Sequence, residues 1–192
     1  MVMKSQVRIL GIDDSPFRFG DKESLVVGAL VRAPNYLEAV MKTTVEVDGT
    51  DSTDRIVQMT SGSRYREQIK AIMIDGIALA GFNVVDIERV HEETGLPVLT
   101  LTRDRPNMDE IGAALRKHFD DWQRRYDLMA KLDLRQIETA HKPLFACGVG
   151  LDWKGFQELV AMSTVRGVVP EPVRIAHIVS AAMVRGESHG RS

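Results

Sequence analysis

The 192-residue sequence is nearly free of cysteine: Cys147 stands alone, so the chain closes no disulfide on itself. Its setting, LFACGVG, is apolar and reads as a packed thiol rather than a reactive nucleophile. That usage fits a reducing, cytoplasmic setting. A dominant charge is missing too: 25 Lys and Arg against 27 Asp and Glu leave a formal net charge of −2. This argues against a surface that coats nucleic acid indiscriminately. It leaves room for an acidic site at which a bound metal restores positive charge locally. No apolar run is long enough to span a bilayer. The stretch GVVPEPVRIAHIVSAAMV is broken by Pro170 and Pro172 and carries Arg174 and His177, and MVMKSQVRILGIDDS shows no secretory pattern. No membrane partner is expected. Walker, GxGxxG, GxSxG and HExxH patterns are absent, which removes the commonest nucleotide, acyl-transfer and zinc-hydrolase signatures.

What is present is an ordinary globular composition, 44% apolar and 27% charged, enough for one core. A single domain is expected over residues 1–192, with a polar tail from about residue 185. VRILGIDDS predicts a first strand covered on both faces and ending in polar residues. SLVVGALVRA predicts a second strand, and β-branched Thr43, Thr44, Val45 and Val47 a third, with an ambiguous stretch before it. Ser52 or Thr53 is expected to cap a short helix that Gly62 ends. Ile72, Met73 and Ile74 form a strand delivering Asp75 at its C-terminal end. AGFNVVDIERVHEETGLP reads as a helix with Val84, Val85, Ile87 and Val90 on one face, stopped at Gly95 and Pro97.

PVLTLTR reads as a further strand, and NMDEIGAALRKHFDDWQRRYDLMAKL as one long amphipathic helix. The stripe Ile111, Leu115, Phe119, Trp122, Tyr126 and Met129 marks core rather than a base-stacking platform. QIETA and PLFACGVG are short strands or connectors, and two helices follow, the last with Pro172 in its first turn. Early strands with short connections, then strands alternating with helices, predict an α/β mixed sheet. In it an antiparallel meander precedes parallel strands.

Acidic residues gather where strands stop: Asp13 and Asp14 in GIDDS, Asp48, Asp51 and Asp54 in VEVDGTDSTD, and Asp75 in IMIDG. Carboxylates crowded in a poorly solvated site repel one another, and a hard divalent cation removes that cost. Oxygen ligands suit Mg²⁺ or Mn²⁺, and such ions assist phosphodiester cleavage. The plainer alternative for each residue is a turn or cap, since Asp-Gly and Asp-Ser are ordinary turn chemistry. His177, in RIAHIVS, reads on its own as a core histidine, and Arg103 as a surface charge after a strand.

Four segments together resemble endonuclease V and, more closely, a largely archaeal family of endonuclease V-like proteins. They are GIDDS, IMIDGIALAGFNVVDI, GLPVLTLTR and STVRGVVPEPVRIAHIVS. The resemblance covers most of the chain, and VPEPVRIAH is its most specific part. It implies a ribonuclease H-like fold with helices on both faces of the sheet, and divalent-metal-dependent phosphodiester hydrolysis on DNA or RNA. Asp13 and Asp75 map to the metal carboxylates, His177 to the Asp or His of the closing helix, and Arg103 to a lysine position. The Glu that precedes the second carboxylate strand in endonuclease V has no counterpart here. DGTDSTD occupies that region, which makes Asp51 a candidate ligand and Asp54 a candidate catalytic substitute. Asn83 and Asp86 stand where the endonuclease has a His-Pro-Arg run, and are candidates for lining a substrate pocket or for capping a helix. The Pro-Tyr-Ile-Pro wedge of the endonuclease has no equivalent segment. The alternatives are a catalytically impaired nucleic-acid or nucleotide-binding module on the same fold, and hydrolysis of a small nucleotide.

Overall fold

The structure, a computed structural model, describes residues 6–188. Of the expected polar tail, positions 189–192 lie outside the described residues. Strands β1 (Arg8–Asp14), β2 (Glu23–Arg32) and β3 (Tyr36–Glu46) form the antiparallel meander. Helix α1 (Ser52–Ser61) leads to β4 (Ala71–Asp75), which pairs parallel to β1. A two-stranded ribbon, β5 (Ala78–Leu79) with β6 (Asn83–Val84), precedes α2 (Ile87–Thr94). Strand β7 (Val98–Thr102) adds parallel to β4. Helices α3 (Met108–His118) and α4 (Trp122–Ala130) then lead to β8 (Arg135–Ile137) and β9 (Leu144–Val149). Helices α5 (Trp153–Ser163) and α6 (Glu171–Arg185) close the chain. The seven-stranded sheet runs β3-β2-β1-β4-β7-β9-β8.

The central strands are covered on both faces, and side-chain alternation divides the core accordingly. Leu10, Ile12, Ile72 and Ile74 face Ile56 of α1 and Ile87 and Val90 of α2. Ile9, Ala71, Met73 and Leu99 face Phe156, Leu159 and Val160 of α5 and Val173 of α6. The middle residues of β1, β2 and β4 are buried, which explains their apolar runs.

Several boundaries differ from the sequence expectation, each for a physical reason. Strand β3 begins at Tyr36, so the ambiguous stretch is strand throughout, paired along its length with β2. The α1 N-cap position is Asp51, and Ser52 and Thr53 are already helical and buried. The helix expected across residues 80–97 starts only at Ile87: Val84 pairs with Ala78, and Asp86 caps α2 by accepting from the Arg89 N–H. The expected long helix is two, because Phe119 is extended and packs edge-on against Phe82, with ring centroids 5.6 Å apart. Strands β9 and β8 extend the far edge antiparallel, beyond the parallel strands.

Candidate metal centre

The parallel register of β1 and β4 places Ile12 beside Ile74, so the next step on each strand is Asp13 beside Asp75. By alternation both carboxylates share the face of Ile9, Gly11 and Met73, against which α5 and α6 pack. Gly11 sets how close α6 comes. A Cβ there would lie 2.0 Å from the Pro172 carbonyl carbon and 2.5 Å from the Val173 nitrogen. Glycine is the one residue that lets the first turn of α6 rest on β1 backbone. Two residues along β1 rise about 6–7 Å, and the five from Pro172 to His177 rise about 7.5 Å along the helix. The two advances match, and His177 arrives at Asp13.

His177 Nδ1 is 2.8 Å from Asp13 Oδ2. One ligand atom from each of Asp13, Asp75 and His177 fits within a mutual span of 4.8 Å. Asp13 is buried, while Asp75 and His177 are half-buried, so the cluster has a solvent-facing side. Ser180, one turn further along α6, reaches the Asp14 carbonyl at 3.1 Å and pins this end of β1 to the helix. Asp14 itself accepts from the Ala80 N–H at 3.0 Å.

The electrostatics are those of carboxylates crowded out of water. Burial pushes the Asp13 carboxyl up and Asp75 adds to this, against the pull of the His177 hydrogen bond. Burial also raises Asp75, with Arg103 and His177 opposing. Asp14 is pushed up to about 6, by burial first and by Asp13 second. The hydrogen bond to Asp13 raises His177, against its own burial. A divalent cation would answer this crowding, because it rewards the ionised carboxylates that burial penalises. The donor set of two carboxylates and an imidazole, open on one side, fits such an ion. Arg103 is exposed, yet its charge acts on both Asp75 and His177.

The other acidic residues singled out in the sequence are not brought to this cluster. Asp51 Oδ1 accepts from the Glu46 N–H at 3.1 Å and from Asn83 Nδ2 at 2.7 Å, and Oδ2 from Arg55 Nε at 3.1 Å. Burial works upward on it, but these bonds outweigh burial and hold its carboxyl below the usual range. Asp54 pairs with Arg89. Asn83 is fully buried: its amide also donates to the Glu46 carbonyl at 2.8 Å, and its side-chain oxygen accepts the Ser52 N–H at 3.0 Å. It joins β3, α1 and β6. Asp86 caps α2 and approaches Lys131 at 3.5 Å. Asp48 accepts the Phe82 N–H at 2.8 Å, holding the loop beyond the ribbon.

Two contributors escaped the sequence reading. Gly11 looks like any strand glycine until α6 is placed on it. Arg125 lies inside the stripe read as core, yet it is a buried cation 4.4 Å above the Phe119 ring. Its Nη1 donates to the carbonyls of Asp48 at 2.9 Å, Gly49 at 2.9 Å and Phe82 at 2.7 Å. An apolar cavity of about 240 Å³ is lined by Gly76 and Ile77, the residues that follow Asp75 in the chain. Phe82, Leu101, Met108, Ile111 and Met129 help to line it.

Comparison with known proteins places this architecture. The family model described as endonuclease dU matches residues 5–184. A UPF0215 protein of Methanothermobacter thermautotrophicus is 42% identical over 189 residues, covering 98% of this chain and 93% of its own. A solved Archaeoglobus fulgidus structure superposes with a TM-score of 0.83 at 37% identity, over 94% of this chain and 100% of that one. Ciona intestinalis endonuclease V, bound to a 24mer DNA containing an inosine followed by a ribo-adenosine, gives a TM-score of 0.59 at 11% identity. That match covers 89% of this chain and 83% of the endonuclease, and the shared fold is ribonuclease H-like. With the family model spanning nearly the whole sequence and the relatives aligned end to end, the chain belongs to the endonuclease dU family.

Proposed function

We propose that the protein hydrolyses phosphodiester bonds in nucleic acid with the help of Mg²⁺ or Mn²⁺, and that Asp13 and Asp75 hold the ion. The observation that carries this reading is the gathering of Asp13, Asp75 and His177 within 4.8 Å at the C-terminal ends of two adjacent parallel strands. Ligand sites of open α/β sheets favour that edge. The ion would supply Lewis acidity and offset charge at the phosphate oxygens.

The protein groups have separable tasks. Asp13 holds the His177 ring through Nδ1 and leaves the other ring nitrogen to orient water or the scissile phosphate. Arg103, close enough for its charge to act on Asp75, meets a neighbouring phosphate. The apolar cavity after Asp75 excludes water and offers stacking walls to a base drawn out of its helix. The family description names deoxyuridine, and DNA containing it is the first substrate to try.

A second reading, a binding module without turnover, draws on one observation: Asp51 and Asp54 are engaged in hydrogen bonds and ion pairs away from the cluster. One experiment separates the two. Labelled DNA and RNA strands, plain or carrying deoxyuridine or inosine, are incubated with the protein and Mg²⁺ or Mn²⁺. Cleavage is expected from the wild type and not from Asp13→Ala or Asp75→Ala. Binding without cleavage favours the module, and cleavage that survives both substitutions removes this site from the chemistry.

A further inference from the structure

The segment joining β1 to β2 leaves the candidate metal centre directly, and its tip carries two aromatic side chains into solvent. Phe17 is 38% exposed and Phe19 is 110% exposed. Exposed apolar rings contribute little to the fold, because burial is what makes them stabilising. The mount beneath them is firm. Ser15 and Ser24 are both buried, the Ser15 N–H donates to the Leu25 carbonyl at 2.7 Å, and Ser24 Oγ donates to the Ser15 carbonyl at 3.0 Å.

The tip is also ordered by its own bonds. The Asp21 N–H donates to the Arg18 carbonyl at 3.0 Å, and the Arg18 N–H donates back to Asp21 Oδ2 at 2.7 Å. Gly20, at φ +96°, takes the positive-φ place that a type II turn reserves for glycine. Phe19 thus occupies the corner of a closed turn. Between the rings stands exposed Arg18, whose guanidinium makes no ion pair among the described residues.

We infer that Phe17, Arg18 and Phe19 form a nucleic-acid contact that stacks on unpaired bases and meets a phosphate beside the scissile bond. The inference rests on the nucleic-acid reading of the Asp13 and Asp75 site. Three observations favour bases over another protein surface. The first is reach: Phe17 is four residues beyond Asp13, hence at most about 14 Å away along the chain. That is about four base steps along a duplex strand. The second is chemistry, since two separated rings flanking a cation match alternating bases and phosphates. The third is continuity, because one strand end supplies both Asp13 and the root of the loop. A ring on a pre-ordered turn loses little freedom on stacking.

The test measures binding of a fluorescent single-stranded oligonucleotide to the full chain, with Ca²⁺ replacing Mg²⁺ to hold turnover off. Phe17→Ala/Phe19→Ala is expected to weaken binding at least about fivefold, the lower end of stacking losses per base. Phe19→Trp is expected to keep the affinity and to show quenched tryptophan emission on binding. Thermal midpoints of all variants should match the wild type, since the rings are exposed. Wild-type binding with unchanged affinity in the double variant overturns this inference and leaves the metal-site reading standing. A wild type that neither binds nor cleaves any strand overturns both. Sedimentation showing a dimer that Phe19→Ala dissolves, with nucleic-acid affinity intact, assigns the rings to self-association and also overturns it.

Discussion

Gly11 of β1 and Pro172 of α6 meet backbone to backbone, closer than any side chain would allow. This contact, two residues before Asp13 on β1 and five before His177 on α6, decides where His177 stands. Gly11→Ala cannot be relieved by a rotamer change, because the obstructing atoms are main chain. Overpacking of this kind costs typically 1–3 kcal/mol. A chain of this size should lose roughly 2–12 °C of thermal midpoint. Calorimetry checks the loss. The metal-dependent cleavage we propose should fall further than the fraction unfolded explains, because His177 moves with the helix.

Acidity should act on the metal-free protein in a direction opposite to simple acid denaturation. Asp14 titrates near 3.8 when unfolded and at about 6 when folded. A raised carboxyl contributes stability that is fully present below about pH 4 and lost as pH climbs through about 6. Raised His177 acts with the same sign, its contribution fading above its folded value. Asp51 and Asp121, both lowered, contribute above about pH 4 and lose that contribution toward acid. The metal-free protein should therefore unfold at lower temperature at pH 8 than at pH 5.5. Asp14→Asn should shrink the difference. Thermal scans in EDTA across pH measure it, and a midpoint that rises steadily from pH 5.5 to 8 would count against the crowding.

Adding Mg²⁺ or Mn²⁺ at pH 8 should reverse this loss. At about one hundred times the dissociation constant, a bound ligand stabilises by about 2.7 kcal/mol. For this chain length that is roughly 5–10 °C. Asp13→Ala and Asp75→Ala should remove the shift. Asp51→Ala should keep it while lowering the baseline by about 1–3 kcal/mol, because Asn83, Glu46 and Arg55 lose an acceptor. Loss of the shift in Asp51→Ala would return that residue to the candidate ligand set.

Arg125 supplies a purely structural control. Arg125→Met leaves three carbonyls, of Asp48, Gly49 and Phe82, short of a donor at a half-closed site. A cost of about 1–3 kcal/mol is expected as these part-buried carbonyls lose their donor. Urea unfolding should show the lower midpoint, while the metal-induced shift persists, since Arg125 touches neither Asp13 nor Asp75.

The sequence made the sheet legible because burial on both faces writes apolar runs, as in SLVVGALVRA and IMI. The same runs located Asp13 and Asp75, since a carboxylate ending such a run must sit at a strand end. Partner choice was hidden. Asp51 and Asp75 look alike in sequence, yet one is held by hydrogen-bond donors and the other is withdrawn from water beside Asp13 and His177. Val84 and Val85 fit helix or strand equally well until Ala78 claims Val84 as a partner. The break at Phe119 follows from tertiary contact with Phe82 and Arg125, which no local pattern encodes.

Main-chain ladders between β1 and β4 fix the lateral gap between the two acids of the candidate metal centre, at the roughly 4.8 Å repeat common to all sheets. Their separation is thus inherited from the interior of the molecule rather than from pliable loops. Amide hydrogens of Leu10 to Ile12 and Ile72 to Ile74 should exchange among the slowest in the protein. Partial opening at the edges would then leave the pair of acids in place, and their geometry would dissolve only when the whole domain does.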